Sequence, residues 1–535
     1  MHPIWAVSEL VDTIAASLHS DKKSLCMLAR VSHICFKGAA PILWEELDDI
    51  EMKSLFEILF VKSSEGAGSL ITSSSCNRFV LYESYVVGLK FTGNLDRKSH
   101  MSLSKWIQNA HGLFSDKTNC WFPRLRRLRI VEHSNVEGLL LPLQFILPTL
   151  KEVHIDVAYP DIRTASHACI LSVDSLLRKL CKSLQSLRAF SLTAFALPPN
   201  ALYEASLLAL FSTCQVRSVR MSLVTFTDAI ASAVSLIPSL KVLSLEEESE
   251  RSAESQESTP RCQKSGPLSV KKYPALKELV IIGRPTAVKN VLKSVEARLD
   301  RLTISLTSKH QDQPERITES DYLIIAELVA EHYPRLRHIA FHATLVPEDA
   351  CLQLSYLKSL CRCSGMENVM LSTANQGIEM DDDDISAVAQ SWPSLLCLCF
   401  YKNLASTHKA GAKQISWKSF VSLRRHCPRL ELLAVPSFDA SKSLPCPGPM
   451  PSLGISPGLY FTMHSPPEVS DPFRAALFLS TLWPDLHLIS GEKEEWLGIC
   501  LLVGFARQRS QLVKLVAALP GSLSPPPASF PEFFD

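Results

Sequence analysis

The sequence predicts a mixed α/β repeat array, with parallel strands on one face and helices on the other. Three observations carry the prediction. A nine-residue template, (apolar or Cys)-(Pro)-x-Leu-x-x-Leu-x-Leu, recurs twelve times along the 535 residues. Its last three positions alternate with period two, the pattern of a short strand with one buried face. Helical apolar patterns precede many copies and stop at the template's proline, which removes a donor and biases the residue before it away from helix. An ordinary compact domain runs to roughly 100–200 residues, and an array escapes that limit because each unit packs on its neighbours.

The strong copies are "FPRLRRLRI" from Phe122, "LPTLKEVHI" from Leu147, "IPSLKVLSL" from Ile237, "YPALKELVI" from Tyr273, "YPRLRHIAF" from Tyr333, "WPSLLCLCF" from Trp392 and "CPRLELLAV" from Cys427. Weaker copies begin at Cys181, Thr213, Glu296, Cys363 and Trp483. Helices are predicted from Asn200, Phe226, Thr318, Ser416 and Asp471, several opening on Ser, Thr or Asp at the N-cap. The unit is therefore helix, proline turn, strand. It resembles the leucine-rich repeat of the ribonuclease-inhibitor kind, although the Asn or Cys of that consensus is mostly missing after the strand. The resemblance implies a horseshoe with parallel strands on the concave face and helices on the convex face.

Formal charge is +1 and 46% of residues are apolar. That balance gives no global pull toward nucleic acid or a membrane surface. The sixteen cysteines are scattered, often inside apolar runs, and no secretory leader pattern opens the chain. Both features predict a reducing compartment, cytoplasmic or nuclear. The apolar run from Trp496 is about half the ~20 residues of a membrane helix.

The N-terminal block has its own pattern. "VSELVDTIAASL" from Val7 places Leu10, Ile14 and Leu18 on one helical face. A second helix carries Leu25, Leu28 and Ala29, and "APILW" closes the block at Trp44. Pro41 reads as the first turn of a short third helix, anchored by Leu43 and Trp44. Val7-Ser8-Glu9-Leu10, Leu28 to Phe36 and Ala40-Pro41-Ile42-Leu43-Trp44 resemble the start, middle and end of an F-box. Ser8 stands where that motif has Pro, and His33 where it has Lys or Arg. The tandem of F-box and leucine-rich repeats is similar to ubiquitin-ligase substrate receptors, and looks like their fungal, basidiomycete-type branch.

That resemblance implies a non-catalytic subunit. It would dock on the adaptor of an SCF (cullin-RING) ligase, through it reach the cullin, and hold an unknown protein substrate. Adaptor contact is implied for Val7, Glu9, Leu10, Val11, Ile14, Leu25, Leu28, Val31, Pro41, Leu43 and Trp44. A block this small buries too little surface to be robust alone, so leftover apolar positions need a partner. The residues by themselves also fit a block that only seals the first repeat.

The expected organisation is an F-box at 1–48, connecting helices and loops with the start of the solenoid at 49–118, the solenoid at 119–490, a capping helix at 491–519 and a disordered tail at 520–535. Segments 246–270 and 444–470 read as a disordered insertion and a Pro/Gly-rich excursion. "GAGSLITSSS" at Gly66 reads as a loop.

No phosphate loop, nucleophile elbow or His-Glu-x-x-His is present. No cofactor and no metal is expected. The four acids from Asp381 lack the spacing of a Ca²⁺ loop and suit a helix N-terminus. Cys361-x-Cys363 and Cys397-x-Cys399 lack a zinc knuckle's spacing and read as core. His332, His338 and His342 read as solvated or loop residues.

The middle residue of each strand triplet points away from the core. The resulting row is Arg129, His154, Arg188, Arg220, Ser244, Val280, Thr303, Ala340, Met370, Cys399 and Ala434. Its first four members are basic or basic-capable. They fit either an acidic or phosphorylated substrate segment or a solvated stripe without a ligand.

Overall fold

The structure is a computed structural model. It describes residues 7–62, 69–70, 72–92, 99, 101–107, 122–132, 141–157, 167–184, 186–194, 201–247, 268–307, 317–343, 352–373, 378–402, 414–435, 438–445, 458–463, 469–489, 499 and 503–504. The expected insertion, excursion, capping helix and tail fall largely or wholly outside these residues. The chain divides into two compact units, Met1–Leu276 and Lys277–Asp535.

Unit 1 opens on three helices, α1 (Ser8–Ser17), α2 (Lys22–Ala29) and α3 (His33–Leu43). Asp21 and Ser32 accept the first free amides of α2 and α3. Val11, Ala15, Leu25, Leu28, Cys35 and Ala39 form the core, with Ile14, Leu18, Ala29, Ile42 and Leu43 packed against it. At Gly38 a Cβ would lie 2.9 Å from Val11 Cγ1 and 2.8 Å from Asp12 Oδ1, so α1 and α3 approach closely there. Pro41 sits in the last turn of α3 and opens no separate helix. So near the end, its missing N–H costs the helix a single internal bond.

The segment after α3 corrects the expected boundaries. Strand β1 (Glu46–Asp48) already belongs to the sheet, pairing with β2 (Gly88–Phe91). The array therefore begins at residue 46, within the segment assigned to the helical block. Helix α4 (Asp49–Leu59) follows, then a small antiparallel pair, Val61–Lys62 with Ser69–Leu70. Helix α5 (Ser73–Glu83) comes next. The serines of the expected loop at Gly66 thus open a helix. Thr72 and Ser75 form a reciprocal capping box there. Trp44 stacks on Tyr82 of α5, with centroids 4.7 Å apart and planes 16° from parallel, and Phe36 approaches the same ring at 6.0 Å.

Unit 1 continues with β3 (Arg127–Glu132), β4 (Glu152–Val157), β5 (Ala189–Ala194), β6 (Ser218–Ser222) and β7 (Val242–Glu246). All pair in parallel and in sequence order. Register is strict. Leu128, Val153, Phe190, Val219 and Leu243 align, as do Ile130, Ile155, Leu192, Met221 and Leu245, and all ten are buried. Each such side chain contributes about 1.5–3 kcal/mol relative to exposure. The helices between are α6 (His167–Ser183), α7 (Ala201–Thr213) and α8 (Asp228–Ser235).

Unit 2 repeats the plan with β8 (Glu278–Gly283), β9 (Arg301–Leu306), β10 (His338–Ala343), β11 (Asn368–Thr373), β12 (Cys397–Lys402), β13 (Leu432–Val435), β14 (Tyr460–Met463) and β15 (His487–Ile489). Its helices are α9 (Pro285–Ser294), α10 (Glu319–His332), α11 (Asp382–Ser391), α12 (Trp417–His426) and α13 (Pro472–Leu482), with a 3-10 segment at Leu354–Arg362.

Two polar devices recur. The first template residue donates back to a carbonyl at the end of the preceding repeat's helix. Tyr333 Oη reaches Val295 O at 2.8 Å, Trp392 Nε1 reaches Leu360 O at 3.3 Å, and Cys427 Sγ reaches Ala389 O at 3.5 Å. In the last copy, Trp483 Nε1 finds no such acceptor among the described residues.

The second device is an aspartate at the first position of a helix, which takes both the amide and the hydroxyl of a Ser or Thr from a later segment. Asp49 holds Thr92 (N–H 3.1 Å, Oγ1 2.6 Å), and Asp228 holds Ser269 (2.9 and 2.5 Å). Asp382 holds Ser416 (2.7 and 2.6 Å) and also Ser419 Oγ at 2.6 Å. The acidic run from Asp381 therefore does more than face a helix dipole. Asp381 and Asp384 box the N-terminus, and Asp382 fastens α11 to α12.

Two predictions follow from these contacts. Trp44→Ala and Tyr82→Ala should each lower the urea midpoint, and the double-mutant coupling should be about 1 kcal/mol. A coupling of zero would mean the rings do not stack in solution. Asp382→Ala should cost about 2–4 kcal/mol at pH 7, because three donors lose a charged acceptor. Burial raises the Asp382 pKa, but the Ser416 and Ser419 hydroxyls and the Ser416 amide outweigh it and hold the carboxyl below 3.8. The stabilisation is therefore complete above that value and is lost as pH falls through the lower folded pKa. The gap between wild type and Asp382→Ala should close in acid; a gap independent of pH would refute the assignment.

Candidate functional site

Two surfaces correspond to the predicted sites. The first is the helical block. Val11 and Leu25 are fully buried and Leu28 is 6% exposed. All three hold the block together and offer a partner no surface, which corrects their assignment as contact residues. The reason is geometric: in so small a bundle, the regularly spaced apolar positions are consumed by its own core. Ile14 and Leu43 pack against that core, Pro41 is half-buried, and Trp44 is engaged with Tyr82.

What remains outward is Val7 (42% exposed), Leu10 (46%) and Val31 (42%), with Glu9 beside them in sequence. Two further apolar residues were missed in the sequence, Met27 (61%) and Ile34 (36%). Their signal was present: each is a large apolar residue off the buried stripe of its helix. The block thus pairs a complete core with five exposed large apolar side chains. Lys22 anchors it on the array side, its Nζ 2.6 Å from Glu51 Oε1 in α4.

The second surface is the outer face of the strands. In unit 1 the register aligns Lys90, Arg129, His154, Ser191, Arg220 and Ser244. Ser191 stands where Arg188 was expected. The copy beginning at Cys181 is read three residues too early, because Leu184-x-x-Leu187 imitates the start of the strand triplet. The strand's inward pair is Phe190 and Leu192, and Arg188 precedes the strand. In unit 2 the row is Val280, Thr303, Ala340, Met370, Cys399, Ala434 and Thr462, as expected through Ala434.

The basic part of this row is largely neutralised. Arg129 lies 3.7 Å from Asp156, and Arg220 lies 2.7 Å from Glu246. His154 is held below its usual pKa chiefly by burial, with Arg129 and Arg220 adding repulsion against the effect of Glu152, so it is neutral at pH 7.

His338 and His342 are strand residues, not loop residues. Their Nδ1 atoms lie 2.5 Å from Asn368 Nδ2 and 2.6 Å from Ser372 Oγ on the next strand. Burial is the main cause that lowers both pKa values. Burial likewise pushes the Cys363 thiol up to about 11 and Cys427 to about 12, which suits inert core thiols. Among the described residues no group of three or more His, Cys, Asp or Glu could hold a metal ion. No helix among them is long and apolar enough to cross a membrane. A cavity of about 90 Å³, lined by Leu354, Leu357, Leu360, Val388 and Trp392 among others, is well below the roughly 300–1,000 Å³ of a small-molecule site.

No family model matches the sequence, and no curated protein does. Two solved structures are similar to it. One is the complex of Rad7 and Elc1 in yeast (TM-score 0.32, 12% identity, covering 76% of this chain and 92% of that one). The other is the leucine-rich repeat-containing protein LegL7 from Legionella pneumophila (TM-score 0.30, 10% identity, covering 69% and 94%). Likenesses this distant carry no argument about what the chain binds. The repeat architecture stands on its own strands and helices, a mixed α/β array of parallel strands backed by helices.

Proposed function

We propose that the chain is the substrate-recognition subunit of an SCF-type (cullin-RING) ubiquitin ligase. It performs no chemistry itself. Residues 7–44 dock on the adaptor, and the repeats hold a protein substrate. Such a subunit accelerates transfer by raising the effective concentration of a substrate lysine near a charged ubiquitin carrier. The observation that carries this reading is the exposed apolar set Val7, Leu10, Met27, Val31 and Ile34 on a block whose core is already complete. Five such side chains on so small a block are what a protein partner would cover. The F-box-like order of residues at Val7, Leu28 and Ala40 supports the same partner.

A second reading makes the block a cap on a repeat scaffold without ligase association. The Trp44–Tyr82 stack and the Lys22–Glu51 pair favour it. A pull-down separates the two. The full chain should retain the adaptor, and a chain lacking residues 1–44 should not. Leu10→Glu with Val31→Glu should cut retention at least ten-fold while the thermal midpoint stays within a few degrees, since neither side chain is buried. Failure of the full chain to retain the adaptor would leave the cap reading.

A further inference from the structure

Immediately before most of the strands stands a residue whose carbonyl receives two amides of the following repeat. In unit 1, Arg126 O takes Lys151 and Glu152 N–H, Lys151 O takes Arg188 and Ala189, and Arg188 O takes Arg217 and Ser218. Arg217 O then takes Lys241 and Val242. Arg126, Lys151, Arg188, Arg217 and Lys241 therefore form a continuous row along the sheet's N-terminal edge. Successive members are one strand apart, ~4.8 Å, so the row spans roughly 19 Å. Lys151 is half-buried and the other four are exposed.

None of the five has a carboxylate partner among the described residues. The ion pairs that unit 1's other cations make include Arg127–Glu45, Arg129–Asp156, Arg178–Asp174, Arg220–Glu246 and Lys271–Asp228. One carboxylate, Glu152, adjoins the row, facing Arg127 across the register.

In unit 2 the same position alternates in sign over its first four members, Lys277, Asp300, Arg337 and Glu367, and then passes to Leu396 and Glu431. Lys277 pairs with Asp300 at 3.2 Å on the next strand, and Arg337 pairs with Glu367. Opposite charges on neighbouring strands stabilise a sheet and like charges destabilise it. Five cations in succession therefore work against the fold of unit 1, and a ligand that neutralises them accounts for their presence.

We infer that this edge binds an extended acidic segment of a partner protein, running across the strands. Same-side residues of an extended chain repeat every ~6.8 Å, so acids at alternate positions over about seven residues match the row's length. Either carboxylates or phosphoserines supply the charge, and arginine pairs well with both. Nucleic acid fits less well. The formal charge of the whole chain is only +1. The strand faces beside the row present Arg129, His154, Ser191, Arg220 and Ser244, with no aromatic platform for bases. The inference rests on reading the repeats as the receptor surface and does not require adaptor docking.

Fluorescence anisotropy on the full chain at low salt tests it. The probes are labelled ten-residue peptides of alternating Glu and Ser, of alternating phosphoserine and Gly, and of alternating Lys and Ser. Both acidic peptides should bind and the lysine peptide should not. Arg188→Glu with Arg217→Glu should weaken binding at least ten-fold, and the two glutamine replacements should give an intermediate loss. Lys277→Glu in unit 2 should leave it unchanged. The melting midpoint of the glutamate variant should hold or rise, since like-charge repulsion is relieved. Unchanged binding in that variant, or a uridine decamer that competes as well as the acidic peptides, overturns the inference. No adaptor is present in the assay, so its failure leaves the docking proposal intact.

Discussion

The structure depends on strict register between short parallel strands. A strand of three to six residues cannot satisfy its own amides or bury its own side chains. Most of the strands here begin where a carbonyl of the previous repeat takes two amides, as Arg126 O does for Lys151 and Glu152. That contact sets the register for everything after it. A slip by one residue would turn Leu128, Val153 and Phe190 outward and bring Arg129 and His154 into the core. The apolar triplet is repeated because the ladder admits no other alignment.

The helix layer needs separate fastening, since helices of 8 to 17 residues in this array have few backbone bonds beyond their own. Side chains supply it. Tyr333, Trp392 and Cys427 tie a repeat's turn to the last carbonyls of the helix before it. Asp49, Asp228 and Asp382 tie a helix's first turn to a later segment. One device acts at helix C-termini, on carbonyls, and the other starts from helix N-termini and answers donors of a later segment.

Much of this was legible in the sequence, and the failures have physical causes. The strand triplets and the helices from Asn200, Phe226, Thr318, Ser416 and Asp471 were readable because local periodicity and packing agree there. The error at Arg188 arose where two overlapping Leu-x-x-Leu spacings compete, and only the pairing of β4 with β5 decides between them. The helix α9 is not among the predicted helices; it opens on Pro285, a residue permitted at the first position of a helix. In the N-terminal block, spacing identified which residues are apolar but not which face the bundle. Val11, Leu25 and Leu28 went inside, while Met27 and Ile34, off the periodic stripe, stayed out.

Consistency between local rule and global fold is the norm along this chain, so departures from it are informative. There are two. The helical block exposes apolar side chains after completing its core, and the N-terminal edge of unit 1 stacks like charges that unit 2 pairs off. The departures differ in chemistry: one surface is apolar, with the single acid Glu9 among its candidate residues, and the other is cationic and polar. Charge attraction is long-ranged and speeds encounter, whereas apolar burial acts at contact and slows release. Contacts of these two kinds respond to different conditions: salt screens the cationic row and leaves the burial of apolar side chains largely untouched.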